Sequence, residues 1–231
     1  MLGKTAVDAW KSGAAKILEL GQVRNLFTTI DKPCEIDQEW LVRYSPRSLG
    51  SENDNIRDVV DTIFPMDLYS RHSDDRSRFF MSYLACHDRA RRWRRNRATW
   101  GTYFERLIRF PLAENVNQLD RAIEKLRTWS VRNTTGIVFH LSSPAADAPR
   151  TRGGPCWHYG ELLWHRDNSI DLVAVYRNHD FFNKALGNFI ALGQLLQFIC
   201  TQANKEPAKL ICHSVNAYNS GGVTKLRHLV G

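Results

Sequence analysis

Apolar and polar positions recur along this chain with periods that predict most of its elements. Thr5 and Asp8 have capping-box-like spacing, and Val7, Trp10, Ala14, Ile17 and Leu18 then share one helical face until Gly21 offers a stop. Residues 22–44 read as extended, with Phe27, Thr28, Thr29 and Ile30 ahead of Pro33 and a second run from Trp40 to Tyr44. The polar, turn-rich stretch 45–57 predicts a surface loop, and an apolar run over 58–64 ends at Pro65. From Asp75 to about Arg109 the pattern is helical, with Phe79, Phe80, Tyr83 and Leu84 on its apolar face. A further helix covers 116–129, with Val116, Leu119, Ile123, Leu126 and Trp129 in phase. A strand over Gly136–Leu141 precedes a loop over 142–155 rich in Pro, Gly and small residues. Two strands follow, Cys156–Trp164 and Ile170–Tyr176, joined by the turn Arg166-Asp167-Asn168-Ser169. After a loop from Arg177 to Gly187, residues 188–203 are apolar nearly all round, the mark of a buried central helix, and a strand over Lys209–Ala217 comes next. Helices flank strands without regular alternation, so the pattern predicts an α+β fold.

Composition narrows the function classes. At 231 residues with 43% hydrophobic and 24% charged residues, the chain can bury a substantial core, and we expect one domain over 1–231. No apolar run reaches the roughly 20 residues needed to cross a bilayer, so no membrane role is expected. The N-terminus lacks the apolar stretch of a secretory signal. The five cysteines follow no repeated spacing and contain no CxxC pair, which argues for neither a zinc site nor a disulfide framework and for a reduced, cytoplasmic chain. A formal charge of +8 favours anionic partners. Part of that charge lies in the run RARRWRRNR over residues 89–97, which suits a surface or subunit-packing face first, a phosphate clamp second and nucleic-acid contact third.

The residues that carry chemistry cluster late in the chain. Pro155-Cys156 opens a strand, Tyr176-Arg177-Asn178-His179-Asp180 follows the next, and Leu186-Gly187-Asn188-Phe189-Ile190 heads the buried helix. Asn216-Ala217-Tyr218-Asn219 ends the last strand. A cysteine attacks as thiolate, which a nearby guanidinium favours by lowering the thiol pKa. Arginine presents a planar fork suited to phosphate, and a side-chain amide donates and accepts at once, as a base edge requires. Over about residues 150–220 this order and spacing resembles the thymidylate synthase family, which includes the pyrimidine nucleotide hydroxymethylases. Asp8–Gly21 is similar to that family's first helix and Gly101–Tyr103 to its Tyr-Gly segment.

The resemblance implies a mixed sheet packed against helices, a homodimer packed sheet to sheet, and one-carbon transfer from 5,10-methylenetetrahydrofolate to C5 of a pyrimidine nucleotide of the uridylate type. Methylation and hydroxymethylation are both open. Cys156 is then the nucleophile that adds to C6, Arg177 binds phosphate, Asp180 and Asn188 face the base, and Asn178, Asn216 and Tyr218 complete the substrate site. Tyr103, His158 and Arg24 are further candidates. The chain departs from the family pattern at Trp157, Asn178, His179, Gly187 and Asn216. The segment Asn133-Thr134-Thr135-Gly136 stands where the family has paired arginines, with Arg132 adjacent. No Glu lies within 76–104, leaving Asp74, Asp75, Asp88 and Glu105 as the nearest acids for the family's catalytic Glu. These departures leave a second reading, a degenerate relative that binds a nucleotide as sensor or scaffold without turnover. No metal is expected: His158 and Glu161 fall on opposite faces of a strand, and His165 lies beyond it.

Overall fold

The computed structural model describes residues 1–36, 56–73, 75–93 (without the Trp93 side chain), 100–110, 116–129, 136–150 and 153–230. The Trp40–Tyr44 run, most of the 45–57 loop, Asp74, residues 94–97 of the arginine run and the 132–135 segment lie outside the described residues. The strands are β1 (Leu2–Gly3), β2 (Gln22–Ile30), β3 (Ile137–His140), β4 (Trp157–Trp164), β5 (Ser169–Tyr176), β6 (His179–Asp180) and β7 (Glu206–Tyr218). The helices are α1 (Ala6–Leu20), α2 (Ile56–Ile63), α3 (Met66–Tyr69), α4 (Arg76–Trp93), α5 (Tyr103–Ile108), α6 (Gln118–Thr128), α7 (Pro144–Asp147), α8 (Ala185–Ala203) and α9 (Val223–Val230).

The described strands form one mixed sheet in the order β1-β2-β7-β5-β4-β3, with β6 also pairing to β7. Strand β7 runs antiparallel to β2 but parallel to β5 and β6. The fold is α+β, as the pattern of the chain predicts.

Local chemistry explains several boundaries. Thr5 caps α1: its hydroxyl accepts from Asp8 N at 3.3 Å, and its own N–H donates to the Asp8 carboxylate at 3.0 Å. Gly21 ends the helix at φ 77, in the region only glycine enters cheaply. Among the described residues, the helical stretch 75–109 contains two helices rather than one. Gly101 turns the chain at φ 91, and Thr102 restarts a helix by capping Glu105 N at 3.0 Å. The 142–155 loop contains the short helix α7, started by Ser143. The loop between β5 and α8 contains β6, and α8 begins at Ala185, a few residues earlier than its apolar run suggests.

Helix α8 packs on β5 and β7 and is flanked by α1, α2 and α6. Nearly every residue from Ala185 to Ala203 is buried, because neighbours surround the helix. A Cβ on Gly187 would come 2.8 Å from Val59 Cγ1, so only a glycine there lets α2 sit this close to α8. Trp10 of α1 is fully buried and donates Nε1–H to the Phe181 carbonyl at 2.7 Å, which ties the first helix to the connection after β6.

Candidate active site

A cavity of about 650 Å³ opens where α2, the start of α5, the start of β4, the β5–α8 connection and the end of β7 meet. That volume lies within the roughly 300–1,000 Å³ of small-molecule sites. Cys156, Asn178, Asp180, Asn188, Tyr218 and Tyr103 line it together. Arg177, Asn216, His158 and Arg24 are outside the lining.

Cys156 is half-buried at the start of β4, and the Tyr103 hydroxyl holds its backbone. That oxygen accepts the N–H of Cys156 at 2.9 Å and of Trp157 at 3.2 Å. Arg177 donates Nε–H to the Pro155 carbonyl at 3.0 Å and Nη2–H to Gly153 O at 3.3 Å. His158 donates to the same Pro155 carbonyl, with Nε2 at 3.0 Å. Two side chains thus grip the turn that delivers the cysteine. The guanidinium has the expected effect on the thiol but does not win. Burial raises the Cys156 pKa more than Arg177 and Lys184 lower it, so the thiol of the free protein is held protonated.

The other predicted residues are tied into hydrogen bonds that the chain order does not reveal. Both Asp180 oxygens are engaged, one by Phe182 N at 3.0 Å and the other by Asn183 Nδ2 at 2.9 Å, and Ser220 donates to the same carboxylate. Asp180 therefore braces the entry to α8 against the segment after β7. Asn216 donates to Asn178 Oδ1 at 2.7 Å and accepts from Gln22, supporting Asn178 from behind. Burial raises the Tyr218 hydroxyl pKa, and a hydrogen bond from Asn178 opposes the rise. Arg24 is exposed on β2, opposite Asn216.

Several lining residues escaped the sequence reading. Asp58 and Asp61 of α2 border the cavity, as do Thr62, Trp100, His179 and Lys184. In α2, Ile56, Val59, Val60 and Ile63 are buried, which turns the two acids to the opposite, open side. The signal was present in that i, i+3, i+4, i+7 set, but it begins two residues before the apolar run that drew attention. Desolvation raises the Asp61 pKa, and the carboxylates of Asp67 and Asp58 add to the rise. Of the acids nominated from sequence, Asp75 caps α4 by accepting from Arg78 N at 2.9 Å. Asp88 and Glu105 are bound by Arg109 at 2.6 and 2.7 Å. His87 joins these two in a cluster with ligand-like spacing, but the Arg109 guanidinium already compensates both carboxylates.

A curated protein of Methanosarcina acetivorans named "Putative thymidylate synthase" is 27% identical to this chain over 118 residues, 51% of this chain and 51% of that protein. This distant likeness points to the thymidylate synthases. The chain spans about half the length of the relative it matches. No family model matches the chain. Among the described residues no helix is long and apolar enough to cross a membrane.

Proposed function

We propose that residues 1–231 form one thymidylate synthase-like domain that transfers a one-carbon unit to C5 of a pyrimidine nucleotide of the uridylate type. The observation that carries this reading is the convergence of Cys156, Asn178, Asp180, Asn188 and Tyr218 on one cavity beside two carboxylates. In this reading Asn188 holds the base, Tyr218 contacts the sugar, and Cys156 Sγ bonds to C6. The electron pair of the C5=C6 bond moves toward C5 and O4, which makes C5 nucleophilic. After the new carbon is bound, C5 loses its hydrogen as a proton, and departure of Sγ restores the double bond. Asp61, with its raised pKa, is suited to carry protons near the ring, a task worth roughly 10²–10⁴ in rate. Arg177 and Lys184 lower the thiol pKa less than burial raises it, so proton removal from Cys156 accompanies attack.

The cavity also suits a flat heterocycle beside the nucleotide, because the Trp100 indole forms part of its wall next to Tyr103, with ring centroids 4.8 Å apart. Methylenetetrahydrofolate, when bound, would supply the carbon at the oxidation level of formaldehyde: the bond from that carbon to the folate nitrogen would break, and a hydride from the folate would complete a methyl product or a water a hydroxymethyl one. A homodimer packed through the open sheet face fits the exposure of Phe27 and Val215 on β2 and β7, 56% and 41%. A reduced cytoplasmic setting fits the five free cysteines.

The test is release of tritium from C5-tritiated uridine and deoxyuridine monophosphates, with and without the folate. We expect release that Cys156→Ser abolishes and Asp61→Asn slows at least a hundredfold. Binding of a nucleotide with no release would replace this reading with that of a sensor or scaffold. The raised thiol pKa is the observation that favours that second reading.

A further inference from the structure

Asn188 carries an amide whose two ends differ in chemistry, and its neighbours decide which end faces a ligand. Its side chain is buried to 5% exposure at the cavity, and its Nδ2 lies 3.1 Å from His179 Nε2. An amide nitrogen only donates, so Nε2 is the accepting nitrogen of the ring. The imidazole proton then resides on Nδ1, which lies 2.8 Å from Ser214 Oγ. His179 is 1% exposed. Its ring stacks on Tyr176 with centroids 4.2 Å apart and planes 5° from parallel, and meets Phe189 edge-on at 5.5 Å. The ring therefore has no room to turn over. Burial lowers its pKa to about 3, so Nε2 keeps its lone pair at neutral pH.

We propose that His179 is a positioning residue that sets which ring edge the cavity accepts. It takes one N–H of Asn188 and leaves the carbonyl oxygen and the second N–H in a fixed order toward the ligand. The edge that fits is a ring N–H beside a carbonyl, as in uracil. The competing edge is a bare ring nitrogen beside an amino group, as in cytosine. To meet it, the amide must turn its oxygen toward the Nε2 lone pair and lose the buried hydrogen bond. This inference rests on the pyrimidine reading of the cavity, and it adds a determinant that no motif in the chain announces. His179 stands between Asn178 and Asp180 as part of β6, where backbone pairing of His179 with Ala217 and Asp180 with Tyr218 fixes its place.

Calorimetry with uridine and cytidine monophosphates and their deoxy analogues tests the idea on the full chain. Wild type should prefer the uracil nucleotide at least tenfold. His179→Phe keeps a flat ring on Tyr176 but removes the acceptor, and should reduce the preference at least tenfold. His179→Gln restores an acceptor and should recover part of it. Ser214→Ala leaves His179 in place but withdraws the partner of Nδ1, and should lower the preference severalfold even where the Phe variant fails to fold. A merely structural role would weaken both nucleotides equally and leave the ratio unchanged, which would overturn the proposal. Nitrogen-15 spectra of wild type should show the Nδ1–H tautomer of His179, and the Nε2–H tautomer would overturn it as well. Wild type that binds none of the four nucleotides would remove the pyrimidine reading and this inference together. Wild-type preference with unaltered variants would remove this inference alone.

Discussion

Replacement of Gly187 by alanine tests how α2 is held at the cavity. The added Cβ would lie 2.8 Å from Val59 Cγ1, 2.9 Å from Val59 Cβ and 3.4 Å from the Ile56 carbonyl. Normal carbon contacts need about 3.5–4.0 Å, so α2 or the Val59 side chain must retreat by close to 1 Å. Overpacking of this kind costs about 1–3 kcal/mol. Alanine returns up to about 1 kcal/mol through its better helix propensity. The net expectation is a loss of about 0–2 kcal/mol, or up to roughly 4–8 °C in Tm at the 2–4 °C per kcal/mol of a chain this long. The decisive measurement is a double-mutant cycle with Val59→Ala, which removes the atoms that clash. Urea unfolding of the four proteins should give a favourable interaction energy of about 1 kcal/mol or more between the two sites. The same retreat shifts Asp58 and Asp61, so nucleotide affinity should fall in Gly187→Ala and recover in the double variant. Additivity within about 0.5 kcal/mol, with affinity unchanged, would refute the claim that this glycine sets the α2–α8 approach.

Two further outcomes follow from ionisation. With iodoacetamide at neutral pH, exposed Cys86 should react first and half-buried Cys156 second. Cys34, Cys200 and Cys212 should lag, since burial lifts Cys34 to about 11, Cys212 to about 12 and Cys200 beyond that range. Protection of Cys156 alone by a pyrimidine nucleotide would support the site, and Cys156 reacting more slowly than Cys212 would count against it. Burial drops the His179 pKa to about 3, with Asp180 opposing weakly, against about 6.5 in the unfolded chain. Between those values the unfolded state binds the extra proton, so stability falls as pH falls. The loss is about 2 kcal/mol from pH 7 to 5. Urea midpoints across that range should show this slope in wild type and lose that part of it in His179→Gln.

The chain order carried what is local and periodic. The Thr5 cap, the apolar face of α1, the Gly21 stop and the buried helix around 188–203 are set by hydrogen bonds or spacing within a few residues, and they stand in the structure as the pattern predicts. The tertiary structure decided the partners of the polar groups. Tyr103 reaches the Cys156 N–H across 53 positions, Asn216 reaches Asn178 across 38, and Ser214 reaches His179 across 35. No periodicity encodes such pairs, because the first exists only once α5 lies beside the start of β4, and the other two only once β7 lies beside β5 and β6. The same holds for the acid at the cavity. A helix shows from its own spacing that Asp58 and Asp61 lie away from its apolar face, but not what that face packs against. Gly187, which read only as a departure from a motif, decides it: without a side chain there, α8 admits Val59, and the two carboxylates come to border the same cavity as Cys156. Thiol ionisation was out of reach for the same reason. Its sign is a balance between burial and two distant cations, and burial is a property of the folded chain alone.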